Sequence, residues 1–191
     1  MSELRKSAKF DGYVMLALAA LLIWIGGQFD NTPNWAHHRI IVSTTDTKGT
    51  VFDKSVILML QHRKHGSFGL IINQPAKDGS YYIGGPMEQD KIYALHSTDV
   101  IFPDSMVMKD IETGVLEGEE AVAKLKAAEP KPKWYAIIKG YAGWGKRQLT
   151  NEITYGTWHV VDYDAKLVRE TKPELMWETA NKMQVLPQPS Q

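Results

Sequence analysis

Residues 13–29 read YVMLALAALLIWIGGQF, seventeen consecutive positions without a charged side chain. A helix needs roughly 17–25 apolar residues to cross the hydrocarbon core of a bilayer, so this run reaches the short end of a spanning segment. A helix that packs on a soluble core keeps one polar face, and this run has none. Tyr13 and Trp24 lie toward its ends, where amphipathic rings prefer the interface, with Leu18 and Leu22 between them. The sequence therefore predicts one transmembrane helix, with Tyr13, Leu18, Leu22 and Trp24 as its anchor residues and the lipid bilayer as a partner.

A cleaved secretion signal is the rival reading. Arg5, Lys6 and Lys9 make a basic front and residues 16–25 an apolar centre. Cleavage needs small residues at the site, and Ile25-Gly26-Gly27 puts a bulky side chain first, so the retained anchor is preferred. Three basic residues precede the helix and only Arg39 follows it closely. Positive charge stays inside, which predicts a cytoplasmic N-terminus and a domain beyond the membrane, periplasmic on a bacterial inner membrane.

What remains is enough for one domain of ordinary size. With 22 acidic and 22 basic side chains in 191 residues the net charge is zero, so no bulk field attracts nucleic acid and none is expected as a partner. The chain has no cysteine, which excludes disulfides, thiolate nucleophiles, iron–sulfur clusters and cysteine zinc sites.

Residues 1–29 are read as a stub and membrane helix, 30–38 as a turn-rich linker around Pro33, 39–185 as the folded domain and 186–191 as a loose tail. Strands are predicted at 39–43 (RIIVS), 55–60 (SVILML), 68–72 (FGLII), 91–96, 105–108, 134–138 and 157–162, from β-branched and continuously apolar runs. His65-Gly66 makes the second and third of these a hairpin at the centre of a sheet. Helices are predicted at 117–128, with Val122, Leu125 and Ala128 inward, at 148–155, and from 173 to 183, with Leu175, Met176, Trp177 and Ala180 as its core stripe. Strands in a run with helices appended late argue an α+β fold.

Several separated blocks resemble the AlgH (YqgE-type) family. They are FDKSVILMLQH at 52–62 with GSFGLIINQP at 66–75, then Gly84-Gly85-Pro86 with Leu95-His96-Ser97, then GYAGWG at 140–145 through Gln148-Leu149 and Glu152-Ile153 to Trp158, and finally Leu175-Met176-Trp177. The resemblance implies a mixed, partly barrel-like sheet flanked by helices, and a glycine-rich tight turn packing Trp144 against the sheet. The family's biochemistry is unsettled and some members are labelled transcriptional regulators. Three departures stand out: Ser43-Thr44-Thr45 where the family has Ala-Thr-Pro, Lys146-Arg147 where it has Pro-Gly, and the membrane helix itself.

Each candidate for chemistry has a plainer competitor. Residues 140–146 fit G-x-x-x-x-G-K after a strand, but Arg147 stands where Ser or Thr would hold magnesium. His62 and His65, or His37 and His38, lack the third and fourth ligands of a metal site, and His62 is expected exposed or capped at a turn. Ser55, Ser67 and Ser97 have no nucleophile elbow. A polar cluster of Glu152 with Asn73 or His96 is conceivable and equally explained as buried hydrogen bonding. No catalytic residue, cofactor or metal is assigned. The preferred function is a non-enzymatic accessory subunit or interaction scaffold of a membrane complex, contacting other subunits through Gly84, Gly85 and Pro86 and through Gly143, Trp144, Lys146 and Arg147. The alternatives are a regulator of gene expression and a nucleotide or small-molecule binder using residues 140–147.

Overall fold

The structure, a computed structural model, describes residues 34–63 and 65–187. The expected membrane helix at 13–29 and the end of the tail lie outside them. Among the described residues no helix is long and apolar enough to cross a membrane.

Among the described residues nine strands form one sheet: β1 (Ile40–Ser43), β2 (Val56–Arg63), β3 (Gly66–Ile71), β4 (Tyr82–Ile83), β5 (Met87–Ser97), β6 (Met106–Met108), β7 (Thr113–Glu117), β8 (Tyr135–Trp144) and β9 (Trp158–Val161). The order is β6-β7-β5-β8-β3-β2-β1-β9, with every pair antiparallel except β4, which lies parallel to β8. The β2–β3 hairpin is central, as its apolar runs require: Val56 to Leu60 are all buried.

Long β8 makes the sheet curl. Its first half pairs with β5, through Ile138↔Tyr93 and Ala136↔Leu95, and its second half with β3, through Gly143↔Phe68 and Ala142↔Gly69. One strand thus serves two sheet segments and bends the whole into a half-barrel.

Among the described residues four helices cover it: α1 (Glu120–Ala127), α2 (Gln148–Thr154), α3 (Ala165–Glu170) and α4 (Pro173–Ala180). Inside the curl, Ile40, Leu58, Leu70, Leu95, Val115 and Ile138 pack with Leu167 and Val168 of α3 and Met176 and Ala180 of α4. On the outside, Leu149 and Ile153 of α2 cover Ile41, Ile57, Ile71 and Val160, while Ala121 and Leu125 of α1 cover Ala94 and Leu116. Alternate strand residues feed opposite faces, so both faces need helices.

Several boundaries differ from the sequence reading. The predicted helix at 117–128 begins only at Glu120, because 113–117 is strand β7 and Gly118 turns the chain with φ +93°. Ala121 and Leu125 face inward, with Val122 only half-buried. Helix α3 is short and was unforeseen, although Asp164 caps it by accepting from Leu167 N at 2.7 Å. In α4, Leu175 is half exposed and leaves the core stripe; Trp177 packs against the inner core and donates its indole N–H to Ser43 O at 2.9 Å. The glycine-rich run is no tight turn: residues 140–144 continue β8.

Candidate functional site

The corner of β8 is built from glycines. Gly140 bends the strand with φ +72°, a region in which side chains are strained. Gly84 and Gly85 cross over it so closely that a Cβ on Gly84 would lie 2.3 Å from Gly140 O, and one on Gly85 2.4 Å from Tyr141 O. Only glycine permits that approach.

Beyond the crossing, β5 leaves β8. Met87 pairs with Tyr141, the next paired residue is Ile92 with Lys139, and Glu88 between them has φ +39°. The gap opens a groove of about 550 Å³. Phe68 of β3, Tyr141 and Gly143 of β8, and Met87, Lys91 and Tyr93 of β5 line it. Phe68 and Tyr93 both meet the Tyr141 ring edge-on, with centroids 6.0 and 6.3 Å away. These rings also close one flank of the inner core.

The rim is polar and satisfied. Lys91 Nζ lies 2.6 Å from Glu117 Oε1 and 5.5 Å over the Tyr93 ring. That carboxylate holds the Lys91 ammonium above its ordinary range. The Tyr141 hydroxyl donates to Glu88 Oε1 at 3.1 Å. Burial pushes the phenols of Tyr93 and Tyr141 up, the latter helped by the Glu88 carboxylate. At neutral pH the groove therefore presents neutral aromatic faces, a half-exposed Met87 and the Lys91 ammonium paired with Glu117 and Glu88. That chemistry suits the burial of an apolar or aromatic side chain.

The residues singled out in the sequence fall in different places. Gly143 is exposed in the groove, and Trp144 borders it while its ring packs into the outer core. Gly84 and Gly85 are buried in the crossing, and Pro86 is exposed next to Met87. Lys146 and Arg147 are exposed in the turn between β8 and α2, outside the groove lining. The phosphate-loop spacing belongs to a strand and a turn, not to a cradle of backbone amides.

His62 is a correction. It is buried, not exposed, with Nδ1 2.8 Å from Ser67 Oγ. Glu152, Asn73 and His96 do not meet either. Glu152 accepts from Trp144, Trp158 and Gln148. Asn73 accepts from Val56 N and donates to Lys54 O. His96 lies between Ser97 O and Ser105 Oγ, at 2.9 and 2.7 Å. Among the described residues no three histidine or carboxylate side chains converge as metal ligands. The sequence reading missed Phe68, Met87, Lys91, Tyr93 and Glu117 as site residues, because they come from three strands, β3, β5 and β7, that meet only in the fold; only the quoted blocks around Phe68 and Tyr141 signalled part of it.

A family model described as AlgH-like matches residues 40–187. The chain belongs to the AlgH-like family. A UPF0301 protein of Myxococcus xanthus is 32% identical, the match covering 67% of this chain and 79% of that protein. One of Methylococcus capsulatus is 29% identical over 78% of this chain and 91% of that protein. The AlgH protein of Pseudomonas aeruginosa has the same fold, with a TM-score of 0.66 at 21% identity over 80% of this chain and 90% of that one. Protein DIP2367 of Corynebacterium diphtheriae aligns with a TM-score of 0.64 at 18% identity, covering 82% and 90%. The AlgH-like match begins at Ile40, so residues 13–29 fall outside it.

Proposed function

We propose that the AlgH-like domain is a non-enzymatic docking module, tethered to a bacterial inner membrane by residues 13–29 and serving a larger membrane complex as an accessory subunit. Its N-terminus is cytoplasmic and the domain periplasmic. The groove between Phe68, Tyr93 and Tyr141 receives an extended apolar segment of a neighbouring subunit.

The observation that carries this reading is the groove itself: about 550 Å³, walled by three aromatic rings, with Met87 47% exposed at its mouth and no side chain at Gly143 to obstruct entry. Aromatic rings are enriched at the centres of protein interfaces because they bury large area at small entropic cost. Methionine adapts its shape to what enters. Regulation of gene expression and nucleotide binding have no comparable support. The domain carries no basic stripe, and residues 140–147 are divided between a strand and a turn.

Isolation from the native membrane in mild detergent tests the proposal. The full chain should bring down a discrete membrane protein, and Gly143→Leu, which fills the groove, should not. Recovery of the chain alone would overturn it.

A further inference from the structure

Helix α1 covers only part of the outer face of the sheet. Side chains alternate along a strand, so Tyr135, Ile137 and Lys139 of β8 project from one face, and the pairing of Ile92 with Lys139 sets Ile92 beside them. Helix α1 packs Ala121 and Leu125 against Ala94 and Leu116. Ile92, Ile137 and Val122 of the helix stay half-buried. Between α1 and residues 78–82 this leaves a cleft of about 750 Å³, the size of a small-molecule site.

Residues 78–82 make a fixed wall. Ala76 N donates to Tyr81 O and Ile83 N to Gln74 O, at 2.9 and 2.8 Å. The Tyr81 ring carries the Lys139 ammonium over its face, with Nζ 4.6 Å from the centroid. Lys126 of α1 and Tyr135, 46% exposed, line the same cleft.

Donors outnumber acceptors in that lining. Neither Lys126 nor Lys139 makes an ion pair among the described residues. The Tyr81 ring attracts the Lys139 ammonium without neutralising it. Among the described residues the hydroxyls of Tyr81 and Tyr135 have no hydrogen-bond partner either. Asp78 is the one carboxylate among the described residues of the lining, and its Oδ1 accepts from Ser80 N and Ser80 Oγ at 3.0 and 2.8 Å.

Apolar side chains, phenol rings and two ammoniums without carboxylate partners are the complement of a flat ring that carries negative charge. A phosphate monoester brings about two negative charges and three acceptor oxygens at neutral pH, which matches two lysines and two phenols; a carboxylate brings half that charge. We infer that this cleft binds a small phosphate monoester of a flat ring, an aryl or nucleoside monophosphate. The ring lies on Ile92 and Ile137 beside Tyr81 and Tyr135, and Lys126 and Lys139 supply the cations for the phosphate. The cleft shares no lining residue with the aromatic groove and none with residues 140–147, and it needs neither the tether nor a partner subunit.

Thermal unfolding of the full chain in mild detergent, with ligand added, tests this. Phenyl phosphate and adenosine monophosphate are compared with inorganic phosphate and with adenosine. At least one of the two monoesters should raise the melting temperature saturably, and inorganic phosphate and adenosine at the same concentration should not. Lys126→Gln and Lys139→Gln should each weaken that binding by roughly tenfold while leaving the unliganded melting temperature unchanged. Gly143→Leu, which fills the aromatic groove, should bind the monoester as before, so failure of the docking module and failure of this cleft are separate results. No saturable shift with either monoester overturns the inference. An equal shift with inorganic phosphate, or undiminished binding when both lysines are changed, overturns it as well.

Discussion

The indole N–H groups of Trp144 and Trp158 donate to one atom, Oε2 of Glu152, each at 2.8 Å. The two rings lie edge to face, 5.9 Å apart, and Gln148 Nε2 occupies the other carboxylate oxygen at 2.9 Å. This knot ties the end of β8 and α2 to β9 on the outer face of the sheet. It accounts for the joint presence of Trp144, Gln148, Glu152 and Trp158 in the quoted blocks as requirements of the fold.

Glu152→Ala should therefore be costly. It leaves two largely buried indole donors unpaired, at about 1–3 kcal/mol each. Thermal unfolding should drop by roughly 4–24 °C at about 2–4 °C per kcal/mol for a domain of this size. Glu152→Gln keeps an acceptor oxygen and should lose much less. Differential scanning calorimetry of the two variants checks this; equal losses would mean the shared acceptor is not what matters.

The glycine crossing gives a second contrast. Gly85→Ala should cost more than about 3 kcal/mol or prevent folding, because a Cβ would sit 2.3 Å from Tyr141 C. Gly79→Ala also faces a positive φ, yet nothing lies within 4 Å of its Cβ, and it should cost only about 1 kcal/mol. Urea unfolding midpoints distinguish the two.

Acid should weaken the domain through histidine. His62 Nε2 and His37 Nδ1 are buried without partners. Burial, then the charge of His37, holds His62 below its ordinary 6.5. Burial, then His38 and Arg63, lowers His37 against the opposing pull of Asp110. The unfolded rings bind protons near pH 6.5 and the folded ones only at lower pH, so stability falls as pH drops below about 6.5 and levels once the folded rings charge. His62→Gln should shallow that decline between about pH 7 and 5. Melting temperatures across this range check it, and an unchanged slope would remove His62 from the account.

Gly143→Leu should separate binding from folding. The glycine has no positive φ and is exposed, and the nearest neighbours of a Cβ there are the Tyr141 ring at 3.1 Å, which must give way slightly, and Met87 Cγ at 3.7 Å. Stability should fall by no more than about 1–3 kcal/mol, leaving the domain folded, while partner capture is lost.

Much of the fold was legible because it was written in local patterns. The apolar run at β2, the turn at His65-Gly66 and the start of α4 at Pro173 with Met176 and Ala180 inward are short-range signals. Strand β7 was hidden because Gly114 interrupts it; a Cβ there would lie 2.3 Å from the His96 ring, so the strand sacrifices propensity for closeness. The groove was mostly illegible. Phe68, Met87, Tyr93 and Tyr141 come from three strands whose meeting depends on the bend of β8 at Gly140 and the departure of β5 after Met87. The glycines were visible in the sequence, but whether they served a loop, a ligand or a crossing was decided by their neighbours in space.

The central claim is that the aromatic groove holds another subunit. A photo-crosslinking amino acid placed at Met87, illuminated in native membranes, tests it most directly. The account predicts one discrete adduct with a membrane protein, formed at Met87, abolished by adding Gly143→Leu, and absent when the crosslinker stands at Tyr155. No adduct at Met87, or the same adduct from Tyr155, would contradict it.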